Sequence, residues 1–282
     1  MNEILITTYE PDNSLKKGYL SIFKEVFNEI RKNWWLTWQL FKRGFFAMYK
    51  QSFIGIFWAF IIPIVSVGTF IILNRSGIFF IGNINVPYPI YAVLGMAFWQ
   101  LLATGLVASS NSLTQAGGMI TKINFSKKSL VIASIGQAII SFLVQFALVG
   151  ILFVYYRITP SITILLIPLL IIPIILLTLG LGFILSLLGG IMRDIGNALS
   201  ILITFLMFLT PVLYAKPITG IIATITHYNP LYYLVSTPRD LILTGTIPEV
   251  KGFLITSIFS IIIFIVCLVV FHLTETRVAE RI

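Results

Sequence analysis

Charge is what this sequence has least of. Only 10% of its 282 residues are Asp, Glu, Lys or Arg, where a soluble domain carries about 25%. The apolar residues make up 58% of the chain. They arrive in runs close to the roughly 20 residues that cross a bilayer as a helix. That excludes a soluble globular domain and gives an all-α polytopic membrane protein. Cysteine is nearly absent. Cys267 stands alone inside an apolar run, so neither an intrachain disulfide framework nor a cysteine metal site is available. Histidine occurs at His227 and His272 only, without ligand-spaced neighbours, and no Ser-His-Asp or Cys-His pattern has recognisable context. No phosphate loop of the GxxxxGKS or GxxxxGKT kind is present, so ATP is not bound here by that route. None of the 10 acids falls in the middle of an apolar run, which disfavours a proton relay. The expectation is a protein that is not an enzyme, with no metal and no cofactor of its own. If it moves something uphill, a partner supplies the energy.

The excess of basic residues, a net charge of +9, points to no nucleic acid. Basic residues gather where a membrane protein meets the cytoplasm. Six spans can be read, at residues 53–73, 88–109, 129–156, 162–188, 198–214 and 253–272. Pro168 and Pro173 predict a kink near the start of the fourth. Of the 19 Lys and Arg residues, only Arg75, Arg157, Lys216, Arg239 and Lys251 fall on the side opposite the N-terminus. That bias places both termini in the cytoplasm. The chain divides into residues 1–51, a cytoplasmic or interfacial amphipathic segment, and residues 52–282, the six-span body. The first segment does not resemble a cleavable signal peptide. Leu15, Tyr19, Ile22, Phe23, Val26, Phe27 and Ile30 recur at helical spacing, and Trp34, Trp35 and Trp38 suit the headgroup layer. Residues 215–252 are too apolar for a free loop and too broken for a span. A pair of short helices dipping back into the outer leaflet fits them, if protein buries their ends.

The stretch GGMITKINFSKKSL, residues 117–130, interrupts two apolar runs with something short and basic. It reads as a contact surface for another protein. Its lysines are equally what topology alone demands at that place. Inside the spans, Ser134, Gln137, Ser141 and Gln145 share one helical face, and Gln100, Thr104, Asn111 and Gln115 share another. Hydrogen bonding between helices and the wall of a watery pore both fit. No internal repeat and no low-complexity tract is present.

Four motifs carry a resemblance. YKQSFIGIFWAFIIPI, with Tyr49, Ser52, Gly55, Trp58 and Pro63, resembles the start of the first span in ABC type-2 exporter permeases. MRDIGNAL (192–199), TPVLY (210–214) and NPLYYLVSTPRDLILTG (229–245) resemble that family's Arg-Asp turn and outer-side motifs, in the same order. The likeness runs from about Arg43 to the sixth span. Within the family it is most like the polysaccharide exporters, the O-antigen and teichoic-acid permeases. The resemblance implies a homodimer working with two ABC ATPase subunits, which carry the ATP and Mg. It implies a lipid-linked polysaccharide as substrate and a multi-pass location in the bacterial inner membrane. It also implies a coupling helix to the ATPase in the 117–130 stretch, with Lys122, Phe125, Lys127 and Lys128 as its contact residues. Phe125 keeps the family's aromatic; Ser126 stands where proline is common, and Lys127-Lys128 where an Arg-Glu pair is common. Tyr49, Phe98, Trp99, Gln137, Gln145, Tyr228, Tyr232 and Tyr233 are the candidates for the substrate path, an interfacial aromatic belt being the other reading of the aromatics. Lys42, Arg43 and Lys50 are the candidates for loading a lipid pyrophosphate, since Arg clasps phosphate oxygens with two donors. Two other readings remain: an ABC type-2 exporter of teichoic acid, lipid or drug, or a membrane scaffold or lipid-modifying enzyme outside transport.

Overall fold

The computed structural model describes residues 19–49, 55–77, 81–82, 84–120, 125–192, 194–217 and 219–279. No strand occurs among the described residues. The first two helices are α1 (Tyr19–Lys32) and α2 (Trp34–Tyr49), joined through Asn33. A 3₁₀ turn at Gly55–Phe57 leads into α3 (Trp58–Arg75). Then come α4 (Tyr88–Ser110) and the single-turn helices α5 (Ser112–Gln115) and α6 (Gly117–Ile120). The long α7 (Lys128–Tyr156) follows, then α8 (Ile167–Leu170), α9 (Ile172–Ile191) and α10 (Ile195–Leu209). The chain finishes with α11 (Ile221–Tyr228), α12 (Pro230–Thr244) and α13 (Val250–Ala279).

Among the described residues, four stretches are long and apolar enough to cross a membrane: Tyr88–Ser110, Lys128–Tyr156, Ile162–Ile191 and Val250–Glu275. Two further apolar helices, Phe60–Leu73 and Ile195–Leu209, are shorter. The protein is therefore membrane-embedded and helical, with four candidate long spans among the described residues where the sequence predicts six of similar kind. The difference lies in the first and fifth. Residues 50–54, where the first was expected to begin, lie outside the described residues, and the helix proper starts at Trp58. The fifth stops at Leu209 because Pro211 forces the residue before it out of helical geometry: Thr210 is extended, at φ −106° and ψ 127°. The expected break in the fourth is present. A 3₁₀ turn at Ile162–Leu166 and α8 run up to Ile171, and α9 restarts beyond it. Pro168 and Pro173 occupy the first turns of α8 and α9, where a missing N–H costs nothing.

The core is built around α4. Residues Ile90 to Trp99 of this helix are all buried, as befits a helix apolar on every side. Around it pack α3, α7, α9, α10 and α12, while α13 lies against α9 and α2 against α7. Two glycine contacts set how closely these helices approach. A Cβ on Gly95 would come 2.3 Å from the Val212 carbonyl oxygen, and one on Gly189 would come 2.0 Å from that of Ser110. No side chain fits either place, so α4 is tied by backbone contact near its start and at its end. The outward faces of α10 and α13 carry exposed Ile201, Phe205, Ile255 and Ile258, the composition of a lipid-facing surface.

A second, smaller apolar cluster joins the end of the bundle that carries residues 117–130. Val26 of α1, Leu113, Leu130 and Val131, Phe183 and Leu187 of α9, and Leu268 and Phe271 of α13 form it.

Candidate functional site

The basic end of the bundle holds an ionic group that sequence reading missed. Lys128, the first residue of α7, has no solvent exposure. Its Nζ donates to Glu29 Oε2 of α1 at 3.0 Å and to Glu275 Oε1 of α13 in a shorter contact. His272 lies one turn before Glu275, with Nδ1 3.5 Å from Glu275 Oε1. A buried ammonium without partners costs several kcal/mol even after relaxation; here two carboxylates face it. Burial pushes the Glu29 carboxyl upward, but the Lys128 ammonium beside it outweighs this and holds it below the ordinary carboxylate value. Glu29, His272 and Glu275 also bring potential metal-donor atoms within 4.8 Å of one another. The ammonium already lies on both carboxylates and gives their charge a partner of another kind.

This changes the place of Lys128. The sequence puts it on the ATPase-facing surface, whereas the structure folds it inward, because α1 and α13 both end a carboxylate against the start of α7. Phe125 is half-buried and packs against the smaller apolar cluster, and Lys127 is half-buried just before α7. Lys122 and Lys50 lie outside the described residues, as does the side chain of Tyr49. Lys42 and Arg43 are exposed on α2. The Lys42 ammonium lies 5.3 Å from the centroid of the Trp38 ring, and Arg43 Nη1 reaches Met119 Sδ at 3.7 Å. Both head groups lie at the surface, and α6 brings Met119 of the 117–130 stretch beside Arg43.

At the other end, the family-like motifs meet in space. Arg239 of α12 is 2% exposed. Its Nη1 donates to the carbonyls of Pro211 at 3.1 Å and Val212 at 3.2 Å, and its Nε to Asp240 Oδ1 at 3.2 Å. The guanidinium carbon stands 3.9 Å from the centroid of the Tyr91 ring of α4. The Tyr91 hydroxyl donates to the Tyr214 carbonyl at 3.1 Å. Asn229 caps α12 by accepting from the Leu231 N–H at 2.9 Å, and its Nδ2 donates to Thr210 Oγ1 at 2.8 Å. Thus TPVLY and NPLYYLVSTPRDLILTG are two halves of one junction that pins the α11–α12 hairpin to α4 and α10. Arg239, counted in the sequence as a topology charge, is its centre.

The path candidates separate. Tyr228 is exposed, 5.1 Å from His227 ring to ring. Tyr232 and Tyr233 are buried and edge-to-face at 5.1 Å, and the Tyr233 hydroxyl donates to the His227 carbonyl at 2.7 Å. Lys216 pairs with Glu249 and stands 4.9 Å from the centroid of the Tyr232 ring. These groups share one corner of the bundle, at the end opposite Lys128. Phe98 and Trp99 do not join it; they lie inside the core, Phe98 against Phe142 at 5.4 Å. On the polar face of α7, Ser134 Oγ meets Ser109 Oγ of α4 at 3.1 Å, the interhelical bond that one reading anticipated. Gln137 is half-buried beside Gly44 of α2, and Gln145 is buried with its Oε1 unpartnered.

The fold is a bundle of apolar helices with the Lys128 group at one end and a cap built from two of the resembling motifs at the other. The family described as ABC-2 type transporter matches residues 36–243, and the chain belongs to it. Over 235 residues it is 26% identical to the O-antigen export system permease protein RfbA of Klebsiella pneumoniae, spanning 82% of this chain and 89% of that protein. Over 249 residues it is 22% identical to the protein of the same name from Myxococcus xanthus, spanning 86% and 94%. The family is one of transporter permeases that work with an ATPase partner. The matched block starts inside α2 and ends inside α12. It contains Lys128 and Arg239 but neither Glu29 nor Glu275.

Proposed function

We propose that this chain is the permease subunit of an ABC exporter that carries a lipid-linked, O-antigen-like polysaccharide out of the cytoplasm across the bacterial inner membrane. A separate ATPase chain, two copies to a permease homodimer, supplies the energy. The likeness to O-antigen export permeases over more than four fifths of the chain carries this reading. The joined outer motifs support it. Lys42 and Arg43, exposed on α2, with Lys50 after them, are the proposed contacts for the lipid pyrophosphate. Tyr49, Gln137 and Gln145 are proposed along the path toward Tyr228, Tyr232 and Tyr233. In a strain lacking this chain, surface polysaccharide should vanish and lipid-linked polymer should accumulate inside. The wild-type chain should restore export, and Arg43→Lys, which keeps the charge but not the two-donor fork, should restore less than half. Surface polysaccharide that persists in the deletion strain rules the reading out.

We further propose six crossings, formed by α3, α4, α7, the α8–α9 unit, α10 and α13, with both termini in the cytoplasm and α11–α12 as a re-entrant hairpin. The Lys and Arg bias and the two shorter apolar helices support this count. Single cysteines in a Cys267→Ser background test it. An impermeant maleimide applied to intact spheroplasts should label positions 85 and 244 and spare position 125. Labelling of position 125 from outside would overturn the six-span topology.

A further inference from the structure

We infer that Lys128 is the positioning residue that clamps α1 and the end of α13 to the start of α7, so that the three move as one block when the ATPase acts on the coupling stretch. This rests on the proposed exporter function and goes beyond it by naming which parts of the permease receive the stroke.

Three observations lead here. Lys128 opens α7 directly after Phe125, Ser126 and Lys127 and itself belongs to the 117–130 stretch, so a displacement of that stretch acts on it directly. Its ammonium is fully buried and bonded to carboxylates 99 and 147 residues away in sequence, one on α1 and one on α13. Pulling α1 or α13 off α7 takes from a fully buried ammonium one of its two carboxylates, a cost that rotating all three together avoids. The apolar cluster that holds Val26, Leu130 and Phe271 joins the same three helices, together with Phe183 and Leu187 of α9. The carboxylates come from outside residues 36–243, the block matched by the family. The clamp is therefore assembled from a residue within the family block and two partners flanking it.

Two measurements test the inference on the full chain assembled with its ATPase partner. The first uses spin labels at position 31, exposed on α1, and position 270, exposed on α13, in a Cys267→Ser background. Their separation should be the same in the nucleotide-free and vanadate-trapped states. A separation that changes on trapping overturns the block. The second uses the variant Lys128→Met/Glu29→Gln/Glu275→Gln, which removes every charge from the clamp's ion pairs and leaves no buried ion uncompensated. It should insert, capture the ATPase and hydrolyse ATP as the wild type does, yet export less than one tenth as much polymer per ATP. Wild-type export per ATP in this variant overturns the role of the ion pairs. The restoration experiment above is independent of both, so a chain that exports polymer while its labels move apart keeps its function and loses the clamp.

Discussion

Phe125→Ala is expected to leave membrane insertion and total protein unchanged and to reduce polymer export at least tenfold. Phe125 is the aromatic of the proposed coupling helix, and it is half-buried against the apolar cluster shared by α1, α7, α9 and α13. Its ring has an inner face packed on the permease and an outer part available to a partner. Truncating it removes contact on both sides, worth about 2–3 kcal/mol for a large apolar side chain. A loss of about 1.4 kcal/mol is already tenfold in an equilibrium. ATP hydrolysis should continue while export falls, because the ATPase's own chemistry is untouched. Phe125→Leu keeps most of the apolar volume and should retain at least half of the export. Normal export by Phe125→Ala, with the ATPase still captured in a pull-down, would remove Phe125 as an anchor.

Arg239→Met is expected to destabilise the protein by about 3 kcal/mol, from the cost of losing charge-assisted hydrogen bonds and leaving buried carbonyls unpaired. The Pro211 and Val212 carbonyls lose their donor and the Tyr91 ring loses its stacked cation. The melting temperature in detergent should fall by on the order of 6–12 °C. Arg239→Lys keeps the charge but offers a point instead of a plane, and should fall between the two. The hairpin should loosen before the core does, so protease sensitivity between α10 and α12 should rise first. A melting point within a degree of wild type would show that the guanidinium does not hold the junction.

What the sequence made legible was local. Pro168 and Pro173 told where the fourth span breaks and α8 gives way to α9, because proline's fixed φ and missing N–H act on the next few residues alone. The helix pair in residues 215–252 was readable from a stretch too apolar for a loop and too broken for a span, and the structure starts its second helix at Pro230 behind the Asn229 cap. Lys128 was not readable. A rule that counts basic residues near span ends treats every lysine as facing water, while its real neighbours lie 99 and 147 residues away. One hint was present: His272, the last residue of the expected sixth span, and Glu275 just beyond it stand three apart on one helical face. Arg239 escaped for a related reason, since its main partners are backbone carbonyls, which no residue type announces. Phe98 and Trp99 show the limit of periodicity. On a helix apolar all round, the pattern does not say which aromatic is enclosed and which faces a path.

The enclosure of α4 also bears on how the chain is made. With the exception of α3, every helix that packs on it is synthesised after it. As the ribosome delivers the chain from its N-terminus, this centrepiece must wait in the bilayer before α7, α9, α10 and α12 arrive to cover it. Its apolar girth makes the wait cheap in lipid. Its two polar side chains near mid-helix already serve each other, Thr104 Oγ1 donating to Gln100 Oε1 at 3.1 Å within the same helix. That mid-helix pair needs no neighbour that does not yet exist, while Tyr91 and Ser109, nearer the two ends of the helix, meet their partners at Tyr214 and Ser134 only later.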